Sequence, residues 1–426
     1  MKGLIIAAPS SGAGKTVVTL GLLRALRRQG ADICSAKSGP DYIDPAFHAA
    51  ATGKACINLD AWAMPPMALR AMAHRQPSGL LLIEGAMGLF DAAPVAGSAM
   101  GKGSVADLAE VLDLPVVLVV DVARQAQSVA AVVAGLAGFR KGVRVAGVIL
   151  NKVGSAKHRM MIERAMGEVP VLGAVPRDVR MVRESRHLGL VQAHEDAGLE
   201  GFIEGAADVV AEAVDIAALA ALAKGLVAAG PMPRVAPLGQ RIAVARDEAF
   251  AFAYPHTLEG WQAAGAEVSF FSPLADEGPL RTADAVFLPG GYPELHADKL
   301  AGAARFKAAM WESKALIYGE CGGYMALGEG LVDADGTRHE MLGLLPVSTS
   351  FAARKLHLGY RKLKALGGPY AGEALKAHEF HYACVTKMAP PNLFEAQDSM
   401  GGDLGKMGHQ RGKVSGSFAH LIMSRV

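Results

Sequence analysis

The chain has 426 residues, of which 51% are hydrophobic and 20% are charged, and its formal net charge is +2. This length suffices for two or three domains with their own cores, and the composition is that of a folded globular protein. The nearly balanced charge excludes a strongly basic nucleic-acid or membrane-surface protein. Since no apolar run approaches the length of a membrane span, we expect a cytoplasmic location.

The cysteines support the same compartment. Cys34, Cys56, Cys321 and Cys384 lie far apart and form no Cys-x-x-Cys pair. This spacing argues against a zinc site or a disulfide framework, and it favours a reducing environment.

A loop of small residues follows the first predicted strand, residues 3–8, and precedes a predicted helix over residues 17–28. From residue 7 to residue 16 it reads Ala-Ala-Pro-Ser-Ser-Gly-Ala-Gly-Lys-Thr. Strand, small-residue loop and helix form the context that a phosphate-binding P-loop requires. The usual pattern has glycine where this chain has Pro9. The stretch predicts a nucleoside triphosphate site, and a turn that only looks like a P-loop is the alternative.

Each residue type in the loop suits a part of that task. Small residues at Gly12, Ala13 and Gly14 allow the backbone N–H groups to surround an anion. Lys15 is placed to reach the outer phosphates, and Thr16 offers a hydroxyl to Mg²⁺.

A turn with opposite charges follows the second predicted strand, residues 31–36. It holds Lys37, Asp41 and Asp44 at the carboxyl end of that strand, where open α/β sheets bind ligands. Gly-Pro-Asp is also ordinary turn chemistry, so the residues alone leave a binding turn and a solvated turn open.

Two carboxylates are candidates for the metal that accompanies a triphosphate. Glu84 ends the predicted strand over residues 80–83, and Asp121 ends the one over residues 116–120. An acid at the tip of a strand beside the P-loop strand is the expected metal ligand. The residues alone leave both open.

Further α/β elements complete the first half. A strand over residues 143–150 precedes Asn151, whose amide is a candidate to read a nucleobase edge, although a plain turn residue is the commoner role. We expect another strand over residues 169–175, a loop or short helix over 183–190, and an Ala-rich helix over 206–226. Strands alternating with helices argue for a parallel sheet covered on both faces.

A segment rich in proline and glycine interrupts this pattern at residues 230–240. We interpret it as a linker between a first domain over residues 1–229 and a second over residues 241–426. In the second domain, strands are expected over residues 242–245, 268–271, 285–288 and 315–318, and a helix over residues 254–264.

The second domain carries Gly-Glu-Cys-Gly-Gly around Cys321, between a predicted strand and a helix. This is the thiol version of a nucleophile elbow. The helix N-terminus is expected to favour the thiolate. The N–H groups of Gly322 and of Gly291, in a separate Pro-Gly-Gly turn, are candidate oxyanion donors. His420 is the candidate base, and a buried structural cysteine is the alternative.

Two features near the C-terminus bear on the predicted chemistry of this thiol site. Ile422 stands where an acid two positions after His420 would complete a triad, so we expect a dyad or a third group from elsewhere. His-Glu-Phe-His-Tyr from His378 to Tyr382 fails the H-E-x-x-H zinc pattern. His378 and His381 are therefore candidate substrate-binding residues, with ordinary surface histidines as the alternative.

The two sites together suggest a division of labour. The cysteine would release ammonia from the side-chain amide of glutamine. The P-loop domain would phosphorylate a carboxylate, which ammonia then converts into an amide. Neither reaction requires the fold of the other, which explains two domains.

Across essentially its whole length the chain resembles the cobyrinic and hydrogenobyrinic acid a,c-diamide synthases of cobalamin biosynthesis. The motifs that carry the resemblance lie at residues 11–16, 37–45, 84–91, 289–294, 319–324, 378–382 and 416–420. The resemblance implies a P-loop parallel-sheet domain similar to dethiobiotin synthetase, followed by a second α/β domain of the class I-like glutamine amidotransferase type. It implies amidation of the a- and c-carboxylates of a corrin ring with ATP, Mg²⁺ and L-glutamine.

The resemblance also implies residue roles. Cys321 would be the glutaminase nucleophile, and His420 would raise its nucleophilicity. Thr16, Asp44 and Glu84 would bind Mg²⁺, which favours Glu84 over Asp121.

In the same comparison, Lys15 and Lys37 would stabilise phosphoryl transfer. Asp44 and Asp91 would lie where the nucleotide meets the carboxylate, and Asp41 and Tyr42 would contact the substrate. The family tail usually reads His-x-His, and Ile422 replaces its second histidine.

Two other hypotheses remain open. One is a,c-diamidation of another tetrapyrrole, such as a nickel-sirohydrochlorin. The other is a non-catalytic P-loop regulatory ATPase with a decayed amidase domain. Such ATPases often carry a second lysine early in the loop, where this chain has Ser10 and Ser11, and the intact elbow argues against decay. A homodimer is a hypothesis that no particular residue supports.

Overall fold

Alternating apolar strands and helical segments build two separate α/β units. The computed structural model describes residues 1–75, 79–182, 198–230 and 235–423. One unit comprises residues 1–93 and 98–232, and the other comprises residues 94–97 and 233–426. The loop or short helix predicted over residues 183–190 lies outside the described residues.

The N-terminal half contains short strands and amphipathic helices. Its strands are β1 (Lys2–Ala7), β2 (Ile33–Ser38), β3 (Ile57–Leu59), β4 (Leu80–Glu84), β5 (Ala93–Val95), β6 (Ser98–Lys102), β7 (Val116–Asp121), β8 (Val145–Val153), β9 (Val171–Pro176) and β10 (Lys224–Gly225). Its helices are α1 (Lys15–Arg28), α2 (Asp44–Thr52), α3 (Pro66–Arg75), α4 (Val105–Leu112), α5 (Ser128–Gly138), α6 (Ala156–Ala165), α7 (Leu199–Ala213) and α8 (Ile216–Ala221), with a 3₁₀ turn at Val179–Met181.

The main sheet of this unit has the order β3-β2-β4-β1-β7-β8-β9, and these neighbours are parallel. Leu4, Ile5 and Ile6 on β1 are fully buried, as expected for a central parallel strand covered by helices. The register places Lys37 on β2 directly beside Glu84 on β4, next to the strand that leads into the P-loop. Charged side chains therefore collect at the carboxyl edge of the sheet.

Two predicted elements differ from the structure. Strand β8 continues through Asn151 to Val153, because Asn151 pairs with Asp121 on β7 and Val153 with Pro176 on β9. The single Ala-rich helix predicted over residues 206–226 is wrong. Helix α7 ends at Ala213, since Val214 forms a bridge to Gly173, and the Asp215 side chain then caps α8.

The C-terminal half is richer in strands. They are β11 (Arg241–Ala245), β12 (Glu267–Phe271), β13 (Ala285–Leu288), β14 (Leu316–Glu320), β15 (Gly330–Val332), β16 (Arg338–Glu340), β17 (Val347–Ser350), β18 (His357–Ala365), β19 (Ala374–His381), β20 (Cys384–Met388), β21 (Phe394–Gln397), β22 (Asp403–Met407), β23 (His409–Arg411), β24 (Val414–Ser417) and β25 (His420–Met423). The helices are α9 (Pro255–Ala263), α10 (Ala297–Gly302), α11 (Ala304–Glu312) and α12 (Gly322–Leu327), with 3₁₀ turns at Pro273–Ala275, Pro293–His296 and Gly368–Tyr370.

Two sheets meet at the predicted thiol site. The first, in the order β12-β11-β13-β14-β24-β23, is parallel except for β23. The second, in the order β22-β21-β18-β19-β25, is antiparallel. The chain leaves the first sheet at Ser417 and enters the second at His420.

The predicted fold class, a P-loop parallel-sheet domain followed by a second α/β domain, is confirmed. Within the described ranges, no helix has the length and apolar character needed to span a membrane.

Packing of α1 against α7 gives a test of the first unit. A Cβ on Gly21 would lie 2.6 Å from Val210 Cγ2 and 2.7 Å from the Ala206 carbonyl oxygen. We expect Gly21→Ala to lower the free energy of unfolding by about 1–3 kcal/mol. A Cβ on Gly201, which is also helical, would meet no atom of another described element within 4 Å. Gly201→Ala should instead raise stability by roughly 0.5–1 kcal/mol. The free energy of unfolding of both variants, measured in urea, tests whether the two substitutions act in opposite directions. Equal effects on stability would contradict the close packing of α1 against α7.

Candidate active sites

The P-loop adopts a conformation that its glycines make possible. Gly12 and Gly14 have φ angles of 79° and 86°, in the left-handed region that favours glycine, and α1 begins at Lys15. A Cβ on Gly14 would lie only 2.3 Å from the Asn151 side-chain nitrogen. The loop thus wraps tightly around the space before the N-terminus of α1, where an anion is favoured.

The Lys15 side chain extends across this loop. Its ammonium donates hydrogen bonds to the carbonyl oxygens of Met87 and, at 3.4 Å, Ser10. Burial lowers the pKa of Lys15, and the negative charge of Glu84 opposes that shift. The lysine is therefore held across the loop, facing the carboxyl edge of the sheet.

A cluster of charges lies beside the start of α1. Thr16 Oγ1 donates to Glu84 Oε1 at 2.6 Å and lies 3.4 Å from Asp44 Oδ2. The Lys37 ammonium donates to the same two carboxylates, at 2.8 Å to Glu84 Oε1 and 2.5 Å to Asp44 Oδ2. Glu84 has no exposed surface, so its charge depends on these partners.

His48 is a member of this cluster that the sequence did not reveal. Its Nε2 lies 2.6 Å from Glu84 Oε2, and Cys56 Sγ lies 3.6 Å from its Nδ1. Burial alone would raise the pKa of Glu84, but Lys37 and His48 hold it well below its usual range. Cys56 and Glu84 raise the pKa of His48 to about 10 against the effect of burial. The available signal was weak: His48 follows Asp44 by one helical turn.

The turn between β2 and α2 holds the other predicted residues of this edge. Asp41 Oδ1 accepts the N–H groups of Ile43 at 2.8 Å and Asp44 at 3.2 Å, while its Oδ2 lies 3.9 Å from Lys37 Nζ. Asp41 therefore shapes the turn and faces the cluster at the same time. Tyr42 lies in the same turn, partly exposed.

Asp91 lies within electrostatic range of the P-loop lysine. Its Oδ2 accepts the Gly88 N–H at 2.8 Å, and its charge acts on Lys15. Asp91 and Asp44 thus both contribute negative charge around the P-loop ammonium.

The two metal-carboxylate candidates occupy different places. Glu84 contacts the Thr16 hydroxyl, whereas Asp121 Oδ2 accepts from Lys152 Nζ at 2.7 Å. Asp121 also lines a cavity of about 570 Å³ next to the P-loop, together with Pro9, Ser10, Ala13, Lys152 and Arg177. The geometry brings Glu84, and not Asp121, to the hydroxyl expected at the metal.

The Asn151 side chain contacts the P-loop in this structure. Its amide nitrogen donates to the Ala13 carbonyl at 2.9 Å, and its Oδ1 accepts the Lys152 N–H at 3.0 Å. The side chain is buried beneath the P-loop and does not line the cavity. In the described structure Asn151 therefore braces the P-loop, and its contact with a nucleobase edge stays a prediction.

The donor set at Thr16, Asp44 and Glu84 fits a hard divalent cation. A hydroxyl and two carboxylates offer oxygen ligands, which Mg²⁺ prefers, and leave positions for water and phosphate. Both carboxylates lie near Thr16 Oγ1, and a bound cation would have to replace the Lys37 ammonium at Glu84 Oε1 and Asp44 Oδ2.

Cys321 lies in a strained turn between β14 and α12. Its φ of 47° and ψ of −103° are unusual for a residue with a side chain, and its N–H donates to the Ser417 carbonyl at 2.8 Å. This is the backbone that a nucleophile elbow requires.

Glycines let three segments meet at this turn. A Cβ on Gly291 would lie 2.1 Å from the Ala249 carbonyl oxygen, and one on Gly322 would lie 2.9 Å from the Gly291 nitrogen. A Cβ on Gly290 would lie 2.3 Å from His420 Cε1. The Pro-Gly-Gly loop, the elbow and the candidate base are therefore neighbours, with the two predicted oxyanion amides close together.

The resting protonation states differ from the prediction. Burial, followed by the charges of Glu294 and Glu379, raises the pKa of the Cys321 thiol well above its usual range, although the Gly322 N–H opposes this. The N–H at the start of α12 favours the thiolate, as expected, but burial outweighs its effect on the thiol pKa. Burial, His378 and His381 lower the pKa of His420 to about 3. The structure thus pairs a neutral thiol with a neutral imidazole.

Glu320 is an acidic group close to this histidine. Its Oε2 lies 3.9 Å from His420 Nδ1, and its Oε1 accepts the Leu421 N–H at 3.2 Å. Burial raises the pKa of Glu320 to about 8. The sequence has no acid two positions after His420, but the fold places Glu320, the residue before the nucleophile, beside the His420 ring. The Gly-Glu-Cys-Gly-Gly motif contains Glu320 but does not indicate this position.

The two predicted substrate histidines lie on β19. His378 is paired in register with His420. His381 stacks on Phe418 with ring centroids 4.0 Å apart, and its Nε2 lies 3.0 Å from Glu379 Oε1. Ligand atoms of His357, Glu379 and His381 lie within 4.8 Å of one another.

This trio is not a ready metal centre. The Arg361 guanidinium donates to Glu379 Oε2 at 2.7 Å, so both carboxylate oxygens already have partners. A guanidinium at that distance also repels a cation.

Fold and site geometry together define a class of protein: a P-loop nucleotide-binding unit joined to a glutamine amidotransferase unit on one chain. The CobQ/CobB/MinD/ParA nucleotide binding domain matches residues 4–190, and the CobB/CobQ-like glutamine amidotransferase domain matches residues 241–425.

Similar proteins narrow this class. The chain is 56% identical to the hydrogenobyrinate a,c-diamide synthase of Brucella abortus, over 99% of this chain and 98% of that protein. It is 57% identical to the Sinorhizobium enzyme of that name and 50% identical to that of Rhodobacter capsulatus, each over 99% of this chain and at least 98% of the relative. The chain belongs to the hydrogenobyrinate a,c-diamide synthase family and is a glutamine-dependent carbon–nitrogen ligase, which confirms the predicted family and enzyme class.

The Lys37 cluster predicts a pH-dependent stability effect. Lys37→Met leaves Glu84 and Asp44 without their shared ammonium, and we expect it to cost about 3–5 kcal/mol near neutral pH. A carboxyl whose pKa is depressed in the fold, such as Glu84, stabilises above its unfolded pKa and loses this effect as pH falls. Removing the ammonium raises the pKa of both carboxyls, so the difference from wild type should shrink on acidification.

Urea unfolding without nucleotide, at about pH 7 and about pH 4.5, measures this difference. Lys54→Met, which removes an exposed ion pair with Asp32, is the control and should cost less than about 1 kcal/mol. A cost for Lys37→Met that grows on acidification would contradict the role of Lys37.

Proposed function

We propose that this protein amidates the a- and c-carboxylates of hydrogenobyrinic acid, with ATP and glutamine as cosubstrates, in cobalamin biosynthesis. The observation that carries the proposal is identity above 50% to synthases of that name over nearly the full length of both chains. The intact charge cluster and cysteine elbow support it. A cytoplasmic location and a homodimer remain part of the proposal, based on sequence alone.

The first unit activates the carboxylate. A substrate carboxylate oxygen attacks the γ-phosphorus of ATP, the bond to the β-phosphate oxygen breaks, and an acyl phosphate and ADP form. Lys15 and Lys37 stabilise the charge on the transferring phosphoryl group. Thr16, Asp44 and Glu84 would hold Mg²⁺, which neutralises charge on the phosphate oxygens when bound.

Other residues of this edge position the reactants. His48 holds Glu84 in place through its Nε2, and Asn151 fixes the P-loop through Ala13. Asp41 and Tyr42 border the same edge and are proposed to contact the substrate, with Asp91 orienting the loop beside Lys15.

The second unit supplies ammonia. Cys321 Sγ attacks the side-chain amide carbon of glutamine while its proton passes to His420, and the amides of Gly291 and Gly322 receive the developing oxyanion. The protonated imidazole then gives a proton to the leaving nitrogen, which departs as ammonia and leaves a thioester. Water activated by His420 hydrolyses the thioester to glutamate. Because the resting pair is neutral, the proton moves only as the bond forms.

Ammonia completes the synthesis by attacking the acyl phosphate carbon and displacing inorganic phosphate. The cycle then repeats at the second carboxylate. His378 and His381 lie beside the thiol site and are proposed to contact a substrate there.

Cys321→Ala separates the two halves of the reaction. With hydrogenobyrinic acid, ATP and Mg²⁺, wild type should form the diamide with either glutamine or ammonium salt, as measured by mass spectrometry of the corrinoid. The variant should form it only with ammonium salt, because only the thioester step needs the thiol. Cys384→Ala should retain both activities.

Loss of both activities in Cys321→Ala, with Cys384→Ala intact, would refute the division of labour. Parallel reactions with cobyrinic acid test whether the preferred substrate carries cobalt. Faster turnover of this cobalt-containing acid would contradict the proposed substrate.

Glu84→Gln and Asp121→Asn compare the two metal-carboxylate candidates. Glu84→Gln should lower ATP-dependent diamide formation by roughly 100-fold or more, since the Thr16 hydroxyl loses its anionic partner. Asp121→Asn, at the rim of the cavity, should change it by less than about tenfold. Glutamine hydrolysis should survive in both. Normal ATP turnover in Glu84→Gln, or the reverse order of effects, would show that the metal assignment is wrong.

A further inference from the structure

A carboxylate without an assigned role lies against the nucleophile elbow. Glu294 follows the Pro-Gly-Gly loop on the 3₁₀ turn Pro293–His296. A Cβ on Gly322, the residue after the nucleophile, would lie 2.9 Å from Pro293 Cδ. The turn that carries Glu294 is therefore packed directly on the elbow.

The state of this carboxylate favours a ligand with a cationic donor. Glu294 as a residue is only partly buried, but its Oε2 is buried and accepts no hydrogen bond from the parts of the chain that the structure describes. Burial raises the pKa of Glu294 to about 8, opposed by its own N–H and by the Arg354 charge. A buried carboxylate oxygen is costly without a donor, so a ligand that brings a donor would be bound favourably.

Glu294 also acts on the reacting sulfur. After burial, its negative charge is the strongest influence that raises the pKa of the Cys321 thiol, ahead of Glu379 and Glu320. The carboxylate therefore lies within electrostatic range of the sulfur, on a turn that packs against the elbow.

The other two acids near the thiol already have partners. Glu379 is bonded on one oxygen by Arg361 and on the other by His381. Glu320 accepts the Leu421 N–H and faces His420. Glu294 is thus the one of these three with a buried carboxylate oxygen that accepts no hydrogen bond from the described residues.

We propose that Glu294 binds the α-ammonium group of the amide donor, and so restricts the thiol site to a free amino acid. This inference rests on the proposed glutaminase function and names its specificity residue. A charge-assisted hydrogen bond from the ammonium to Oε2 anchors one end of the substrate. The side-chain amide then extends toward Cys321, and an amide without the ammonium leaves Oε2 unsatisfied.

The test compares L-glutamine with glutaramate, which has the same amide and carboxylate but lacks the α-amino group. Ammonia release by the full-length protein is measured with hydrogenobyrinic acid, ATP and Mg²⁺ present. Wild type should prefer glutamine in kcat/KM by about 100-fold or more. Glu294→Gln should lower kcat/KM for glutamine by roughly 30-fold or more, mainly through KM, and change it for glutaramate by less than about threefold.

Glu312→Gln is the matched control, because Glu312 is an exposed residue of the same unit paired with Arg281 at 3.2 Å. It should keep the wild-type preference. Equal loss of both substrates in Glu294→Gln, or an unchanged preference for glutamine, would overturn the inference. Absence of glutamine hydrolysis in wild type would instead refute the proposed function, so the two failures are distinguishable.

Discussion

Much of the first unit depends on one buried carboxylate. Glu84 lies at the end of a central strand with no exposed surface, and it keeps its charge only because Lys37, His48 and Thr16 surround it. A charge in this setting is stable only while its partners stay in place. The start of α1, the second strand and helix α2 are therefore held to one another by a single group, before any nucleotide binds.

The second unit uses the opposite electrostatic arrangement. Cys321 and His420 are both buried and both neutral, with three carboxylates nearby. In the proposed reaction the thiolate forms only during attack, so a neutral pair would protect the thiol from reactions without substrate. Glu294 and Glu320 then act on different partners, the substrate ammonium in our inference and the His420 ring by position. The P-loop site thus holds buried side chains in their charged forms, whereas the thiol site keeps Cys321 and His420 uncharged.

Some residues of the two candidate sites could be predicted from sequence motifs, and others became apparent only from the structure. The P-loop, Lys37, the two candidate metal acids and Cys321 could be predicted, because loop chemistry and strand ends are encoded locally in the sequence. His48, Glu320 and Glu294 could not be predicted, since their roles depend on which atoms they face. Asn151 shows the same limit: its position after an apolar run suggested a free amide, but β8 continues and directs the side chain to Ala13.

Short-range patterns of residue type were enough to predict the alternation of strands and helices, the two kinds of site and the family. Only the folded chain could settle which acid meets the Thr16 hydroxyl, Glu84 or Asp121, since strand order places β4 on one side of β1 and β7 on the other. The protonation state of the thiol likewise depends on the fold. Burial and the sum of distant charges set that state, and neither quantity is encoded in the neighbours of Cys321 along the chain.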